Sequence, residues 1–265
     1  MASIPQPSLI NSLKVQRRVL AALLVRELLT RYGRHNIGFL WLFVEPMMFT
    51  LGVTALWTAT KSTHGSDLPI VAFALTGYSS VLLWRNMPGR CIGALEANLS
   101  LMYHRNIRAL DIYIARMMIE FAGATISFLT LTLLFLAMGW VEAPEDFLTI
   151  VGGWMLISWF GGALAITLGA LSYEYELVDK FWHPASYLLF PLSGAAFLVS
   201  ALPPAARDII LYIPVVHGVE MIREGFFGSK VEAIYDVGYL VTCSLVLSVA
   251  ALILARWVEK RVAPQ

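Results

Sequence analysis

Charge is what this chain has least of. Only 14% of its 265 residues are Asp, Glu, Lys or Arg, against about 25% in soluble globular domains. Hydrophobic residues make up 58%, and the mean hydropathy is +0.70. A soluble fold of this size has too little interior to hide so much apolar surface, whereas a bilayer accepts it. The formal net charge of +1 gives no reason to expect a nucleic-acid partner. Cysteine is also scarce. Cys91 and Cys243 are far apart, the first placed on a cytoplasmic loop and the second inside a helix, so free thiols are expected with no disulfide or metal framework, and the five histidines show no ligand spacing. No metal is expected. The signatures of chemistry are missing as well: there is no G-x-x-x-x-G-K-[ST], no H-E-x-x-H and no complete G-x-S-x-G. Pro191-Leu192-Ser193-Gly194 lacks the leading glycine, so Ser193 reads as a small packing residue. No catalytic residue and no cofactor are expected in this chain. The first ~35 residues have neither an uninterrupted apolar core nor a cleavage site, so the first span is expected to stay as an anchor.

What the chain does have is long apolar runs. A helix needs about 20 apolar residues to cross about 30 Å of hydrocarbon. Six stretches qualify: 39–59, 68–84, 112–139, 147–171, 182–200 and 234–255. The fourth is rich in glycine, and the fifth holds Pro184 and Pro191 and is expected to kink. Lysine and arginine then set the orientation. Residues 1–38 carry six of them, 85–111 carry Arg85, Arg90, Arg105 and Arg108, and the tail carries Arg256, Lys260 and Arg261. Of the alternate loops, 60–67 holds only Lys61, and 140–146 holds no Lys or Arg but has Glu142, Glu145 and Asp146. Both termini are therefore expected on the cytoplasmic side. No internal repeat or low-complexity linker divides the chain, which reads as one domain over 1–265.

Three segments are not spans. From Leu9 to Leu24 the periodicity predicts an amphipathic interfacial helix. Leu9, Leu13, Val19, Leu20, Leu23 and Leu24 fall on one face, Lys14, Arg17 and Arg18 on the other, and the phase breaks at Arg26–Glu27. A plain positive-inside anchor is the simpler alternative. Residues 85–111 form a connection longer than two spans need, with helical composition over 94–101. It is either a topological charge cluster or a docking element. Residues 201–233 are too polar to span and too apolar for a free loop. Pro203-Pro204 and Pro214 punctuate them, which predicts two short half-buried helices returning into the outer leaflet; a surface flap is the alternative.

Ionisable residues inside spans are functional candidates by default. Here Glu45, Arg116 and Glu120 are few and near the cytoplasmic face. Arg116 and Glu120 stand at i,i+4, which predicts structural pairing within one helix. The chain lacks the midplane carboxylates and repeated broken helices of an ion-coupled carrier.

Residues 26–34 read Arg-Glu-Leu-Leu-Thr-Arg-Tyr-Gly-Arg, followed by Ile37-Gly38-Phe39-Leu40-Trp41 and Glu45-Pro46. This pattern resembles the approach to the first span in ABC-2 type permeases. The stretch Ile213-Pro214-Val215-Val216-His217-Gly218 through Glu220, Arg223, Glu224 and Gly228 resembles, more narrowly, the capsular polysaccharide export permeases of Gram-negative bacteria. The resemblance implies an all-α integral membrane protein with six transmembrane helices, an N-terminal interfacial helix and a re-entrant outer hairpin, in the bacterial inner membrane. It implies a homodimer with two copies of a cytoplasmic ABC ATPase that binds ATP and Mg. It also implies a periplasmic co-polymerase or adaptor, an outer-membrane export protein and a lipid-linked, often acidic polysaccharide as cargo. Other cargoes (O-antigen, teichoic acid, a lipid or a drug) and an ATPase-independent channel or carrier remain as alternatives. Under this resemblance Leu95, Glu96, Leu99, Arg105 and Arg108 are the expected ATPase-coupling residues. Arg34, Arg85 and Arg90 are expected at a cationic entrance, with Trp41 in the path. Ile209, Ile210 and Leu211 are expected to plug the outer mouth, latched by an exposed Glu220–Arg223 pair at i,i+3.

Overall fold

The structure, a computed structural model, describes residues 9–33, 36–60, 68–102 and 107–262. Among the described residues every regular element is a helix and there is no strand. Helix α1 is Leu9–Tyr32, α2 Asn36–Thr60, α3 Ile70–Cys91 and α5 Ala109–Ala137, with the short α4, Leu99–Met102, between the last two. Then come α6 Phe147–Glu174, α7 Leu177–Leu192, α8 Pro204–Ile210, α9 Pro214–Phe227 and α10 Val237–Val262. Four helical stretches are long and apolar enough to cross a membrane: Leu40–Thr60, Ala109–Ala137, Phe147–Glu174 and Val237–Val262. Several helix starts are set locally. Asp146 caps α6 by accepting from the Leu148 and Thr149 amides at 2.9 and 3.2 Å. Thr149 Oγ1 also donates to it at 2.6 Å. These hydrogen bonds hold the Asp146 carboxyl below its ordinary pKa. Pro204 and Pro214 open α8 and α9, where a missing N–H costs nothing.

α6 lies at the centre, against α3, α9 and α10. Its glycines explain how the backbones come so close. A Cβ on Gly153 would lie 2.9 Å from the Gly218 carbonyl oxygen on α9. One on Gly161 would lie 2.9 Å from the Trp84 backbone on α3, and one on Gly169 the same distance from the Cys91 carbonyl oxygen. Small residues at such crossings let dispersion and packing hold apolar helices together where no hydrophobic drive exists between them. Trp84, Phe73, Leu83, Tyr113 and Ile157 fill the shared core. α10 is tied to α6 by Trp159 Nε1 donating to Ser248 Oγ at 2.9 Å.

Several expectations change. α3 continues through Trp84 to Cys91, so Arg85 and Arg90 sit on a helix and Cys91 is buried rather than in a loop. The fifth apolar run, 182–200, is not one helix. α7 ends at Leu192 after 16 residues, about 24 Å at 1.5 Å per residue. The rest turns at Gly194 (φ +84°), because its carbonyls are taken up by an arginine from α9. α1 runs unbroken through Arg26–Glu27. Lys14, Arg17 and Arg18 are exposed as periodicity predicts, but so is Leu13, while Leu23 is buried. A helical wheel separates apolar from polar; it does not separate an apolar face that meets protein from one that meets lipid. The connection after α3 is a 3-10 turn, Glu96–Asn98, and then α4. In it Leu95 and Asn98 are buried, while Glu96 and Leu99 are exposed.

Candidate functional site

A groove runs between α2, α3 and α7, with a volume of about 390 Å³. α3 contributes Tyr78, Arg85 and Arg90, and α2 contributes Glu45. α7 contributes His183, Tyr187 and Phe190, whose i, i+4, i+7 spacing places them on one helical face. The Arg85 guanidinium carbon lies 4.4 Å from the centre of the Tyr187 ring. Phe190 meets Tyr78 edge-on at 5.3 Å between centroids. Flat aromatic faces beside arginine forks suit a ligand that is a ring on one side and a carboxylate or phosphate on the other.

Behind the groove is a charge junction joining four helices. Arg31 of α1 reaches Glu120 of α5 at 2.5 Å. Arg90 of α3 reaches the same Glu120 at 3.3 Å and Glu45 of α2 at 3.8 Å. Arg116 of α5 pairs with Glu27 of α1 at 2.9 Å and donates to the Arg90 carbonyl oxygen at 2.6 Å. The expected i,i+4 pairing of Arg116 with Glu120 is therefore corrected: each pairs with α1 instead. α1 carries Glu27 and Arg31, α5 carries Arg116 and Glu120, and the two i,i+4 couples match with opposite order. Pairing within each helix would satisfy the same four charges but would leave α1 and α5 unlinked, whereas the cross-helix pairs join the two helices through a partly buried site. Gln16 to Asp111 and Arg26 to Asn98 extend this docking of α1.

A second cluster lies at the opposite end of α3. Glu220 and Arg223 of α9 pair at 3.6 Å with both side chains 0% exposed, which corrects the exposed latch. Arg223 donates to the carbonyls of Gly194, Phe197 and Ala195 at 2.5–2.6 Å. Its guanidinium stacks 3.9 Å above the Phe73 ring. Glu220 accepts from the Val199 and Ile234 amides at 3.4 and 3.3 Å. Burial pushes the Glu220 carboxyl up and Arg223 down in pKa, each opposed by the other's charge. Gly77 is required here, since a Cβ would come within 2.5 Å of the Ala195 carbonyl oxygen. His217 is fixed too. Its Nδ1 accepts from the Asp236 amide at 2.8 Å, and Nε2 contacts the Leu211 carbonyl oxygen at 2.9 Å.

The expected site residues separate accordingly. Arg85 and Arg90 share the groove with Glu45. Trp41 lies half-exposed on α2, and Arg34 lies outside the described residues. Leu95 is buried, so it has no surface to offer a docking partner, whereas Glu96, Leu99 and Arg108 are exposed. The Arg108 backbone N–H donates to Asp111 Oδ2 at 2.9 Å, and Arg105 lies outside the described residues. Ile210 packs against Val199 and Val216, Ile209 is exposed, and Leu211 is intermediate. Sequence reasoning missed the aromatic face of α7. The spacing of His183, Tyr187 and Phe190 was the available signal, masked by reading the run only as a span. Among the described residues, no cluster of His, Cys, Asp and Glu could hold a metal ion.

Comparison with known proteins bears on this geometry. Residues 18–227 match the family model described as ABC-2 type transporter. The chain is 43% identical to a capsule polysaccharide export inner-membrane protein, CtrC, of Neisseria meningitidis serogroup B, over 100% of both chains. It is 41% identical to the capsule polysaccharide export inner-membrane protein BexB of Haemophilus influenzae, over 96% of each. It is 24% identical to the polysialic acid transport protein KpsM of Escherichia coli, over 94% of this chain and 97% of that one. A family match over most of the chain, relatives that align from end to end and an all-helical fold agree: the chain belongs to the ABC-2 type transporter family.

Proposed function

We propose that the chain is the membrane permease subunit of an ATP-driven exporter. Its cargo is a lipid-linked, acidic capsular polysaccharide, which it carries across the bacterial inner membrane. The observation that carries this reading is the groove, where Arg85 lies over Tyr187 and Arg90 lines the same wall. The chain's likeness to capsule polysaccharide export proteins supports the choice of cargo. As one permease domain, the chain crosses the bilayer six times, through α2, α3, α5, α6, α7 and α10, with both termini in the cytoplasm. The short α7 crosses with help from the turn that follows it, and α8 with α9 forms an outer re-entrant hairpin. The groove then opens toward the cytoplasm, where the glycan is made. The experiment is capsule display on cells carrying Arg85→Gln with Tyr187→Ala. At normal membrane levels of the protein, surface capsule should fall about tenfold or more, since a charged hydrogen bond and a cation–π contact together exceed about 1.4 kcal/mol. Arg85→Lys should retain part of it. Undiminished display in the double variant removes the groove from the path.

The engine is a separate protein. Two copies of the permease pair with two copies of a cytoplasmic ABC ATPase that binds ATP and Mg. A periplasmic adaptor and an outer-membrane protein carry the polymer onward. The elbow between α3 and α5 is the docking element, through Glu96, Leu99, Arg105 and Arg108. Because the α5 start uses the Arg108 backbone and the Asp111 carboxylate, reversing the Arg108 side-chain charge leaves that start in place, and the test variant reverses Arg105 as well. It should weaken co-purification of the ATPase about tenfold. Unchanged recovery and unchanged export would move docking elsewhere. On the outer side, sealing falls to α8 with Ile209, since burial of the Glu220–Arg223 pair fixes α9 in the bundle.

A further inference from the structure

We propose that Glu45 is a built-in counter-ion. It neutralises the groove-facing edge of Arg90 while the groove is empty, and an acidic group of the cargo displaces it. This rests on the reading that the groove takes an acidic glycan, and it assigns a selectivity residue within that site.

The guanidinium of Arg90 meets two carboxylates through different nitrogens. Its Nε lies 3.3 Å from Glu120 Oε1, and its Nη2 lies 3.8 Å from Glu45 Oε1. Glu120 is 8% exposed and is also held by Arg31 at 2.5 Å. Glu45 and Arg90 are 40% and 41% exposed, and both line the groove. A separation of 3.8 Å is beyond hydrogen-bond distance, and a half-solvated pair is weak. The two contacts therefore have different tasks. Glu120 anchors Arg90 from behind and orients it. Glu45 only balances its charge, and a better acceptor can replace it.

The balance has a physical reason. Among the described residues, the junction joins Arg31, Arg90 and Arg116 with Glu27, Glu45 and Glu120, three charges of each sign, so these ion pairs balance while the groove is empty. An uncharged sugar cannot displace Glu45. A carboxylate or phosphate can, because the planar guanidinium binds either one through two parallel N–H donors. Among the described residues, Arg85 pairs with no carboxylate and rests on Tyr187, so it supplies a first cation for the incoming anion before the exchange at Arg90.

The test uses the full chain in phosphatidylcholine nanodiscs, titrated with an oligogalacturonate and with a neutral dextran oligosaccharide of matched length. Glu45→Gln should bind the oligogalacturonate about two- to fivefold tighter, the range for losing a half-exposed competing ion pair, and bind dextran as before. Glu45→Ala should repeat the gain. Arg90→Gln should bind the acidic oligomer about tenfold or more weakly, and Arg90→Lys should fall between. A purely structural role for Glu45 would move both sugars together. If the native chain binds the acidic oligomer but Glu45→Gln does not tighten it, the counter-ion role is overturned and the groove reading stands. If the native chain does not bind it, both fall. Repeating the titration with phosphatidylglycerol in the discs separates a lipid headgroup from cargo. Tightening of Glu45→Gln toward that lipid alone would assign the exchange to the bilayer and overturn the proposal.

Discussion

Replacing Arg223 with methionine is expected to destabilise the protein by about 3–5 kcal/mol, the usual consequence of removing one partner from a buried ion pair. The reason is local. The Glu220 carboxylate would remain with 0% exposure and no cation, and the carbonyls of Gly194, Ala195 and Phe197 would lose their donors. Those three carbonyls form the turn after α7, so the turn and α9 should loosen together. Thermal unfolding in detergent, followed by the loss of monodisperse protein, measures this. Glu220→Gln should cost less, because the amide keeps the acceptor oxygen toward the Val199 amide. A double replacement, Glu220→Leu with Arg223→Met, should recover part of the loss, since it leaves no buried charge unpaired. A single Arg223→Met variant as stable as the native chain would mean that water reaches this site.

Gly153→Val is expected to be the second large loss. A Cβ there meets Ile222 Cγ1 at 2.8 Å and the Gly218 carbonyl oxygen at 2.9 Å. The first neighbour is a side chain that can rotate, but the second is backbone and cannot. α6 and α9 must part, at a cost of at least about 1–3 kcal/mol, the usual range for overpacking. Gly153→Ala should cost less but still destabilise. Gly52 on α2 provides the control, because a Cβ there meets nothing within 4 Å. Gly52→Ala should gain up to about 1 kcal/mol from helix propensity alone. Equal melting temperatures for Gly153→Val and Gly52→Ala would show that α6 and α9 do not touch as described.

These sites differ in how far they could be read in advance. The glycine content of 147–171 was plain, but which glycine faces α9 and which faces α3 depends on helices far away in the chain. Arg116 and Glu120 were visible as an i,i+4 couple. That Glu27 and Arg31 form the reciprocal couple on α1 was also visible, but nothing local says that α1 docks on α5 rather than lying free at the interface. Glu220 and Arg223 read as a surface latch because charged residues are seldom fully buried. The exception required three backbone carbonyls turned inward by a segment that hydropathy had assigned to a span.

By itself, the sequence determined that the chain is made for a bilayer, where its long apolar helices lie, that it has no nucleotide-binding P-loop and which family it belongs to. Hydropathy and motif are properties of residues and short stretches, so they survive without knowledge of neighbours. Only the tertiary structure decided which charges meet, that Arg223 is buried on Phe73, that the fifth apolar run breaks at Leu192, and that Arg85, Arg90 and Tyr187 face one groove. Each of those depends on pairs of side chains brought together from distant helices. At such contacts, the cost of leaving a charge or a carbonyl unpaired away from water outweighs any local preference.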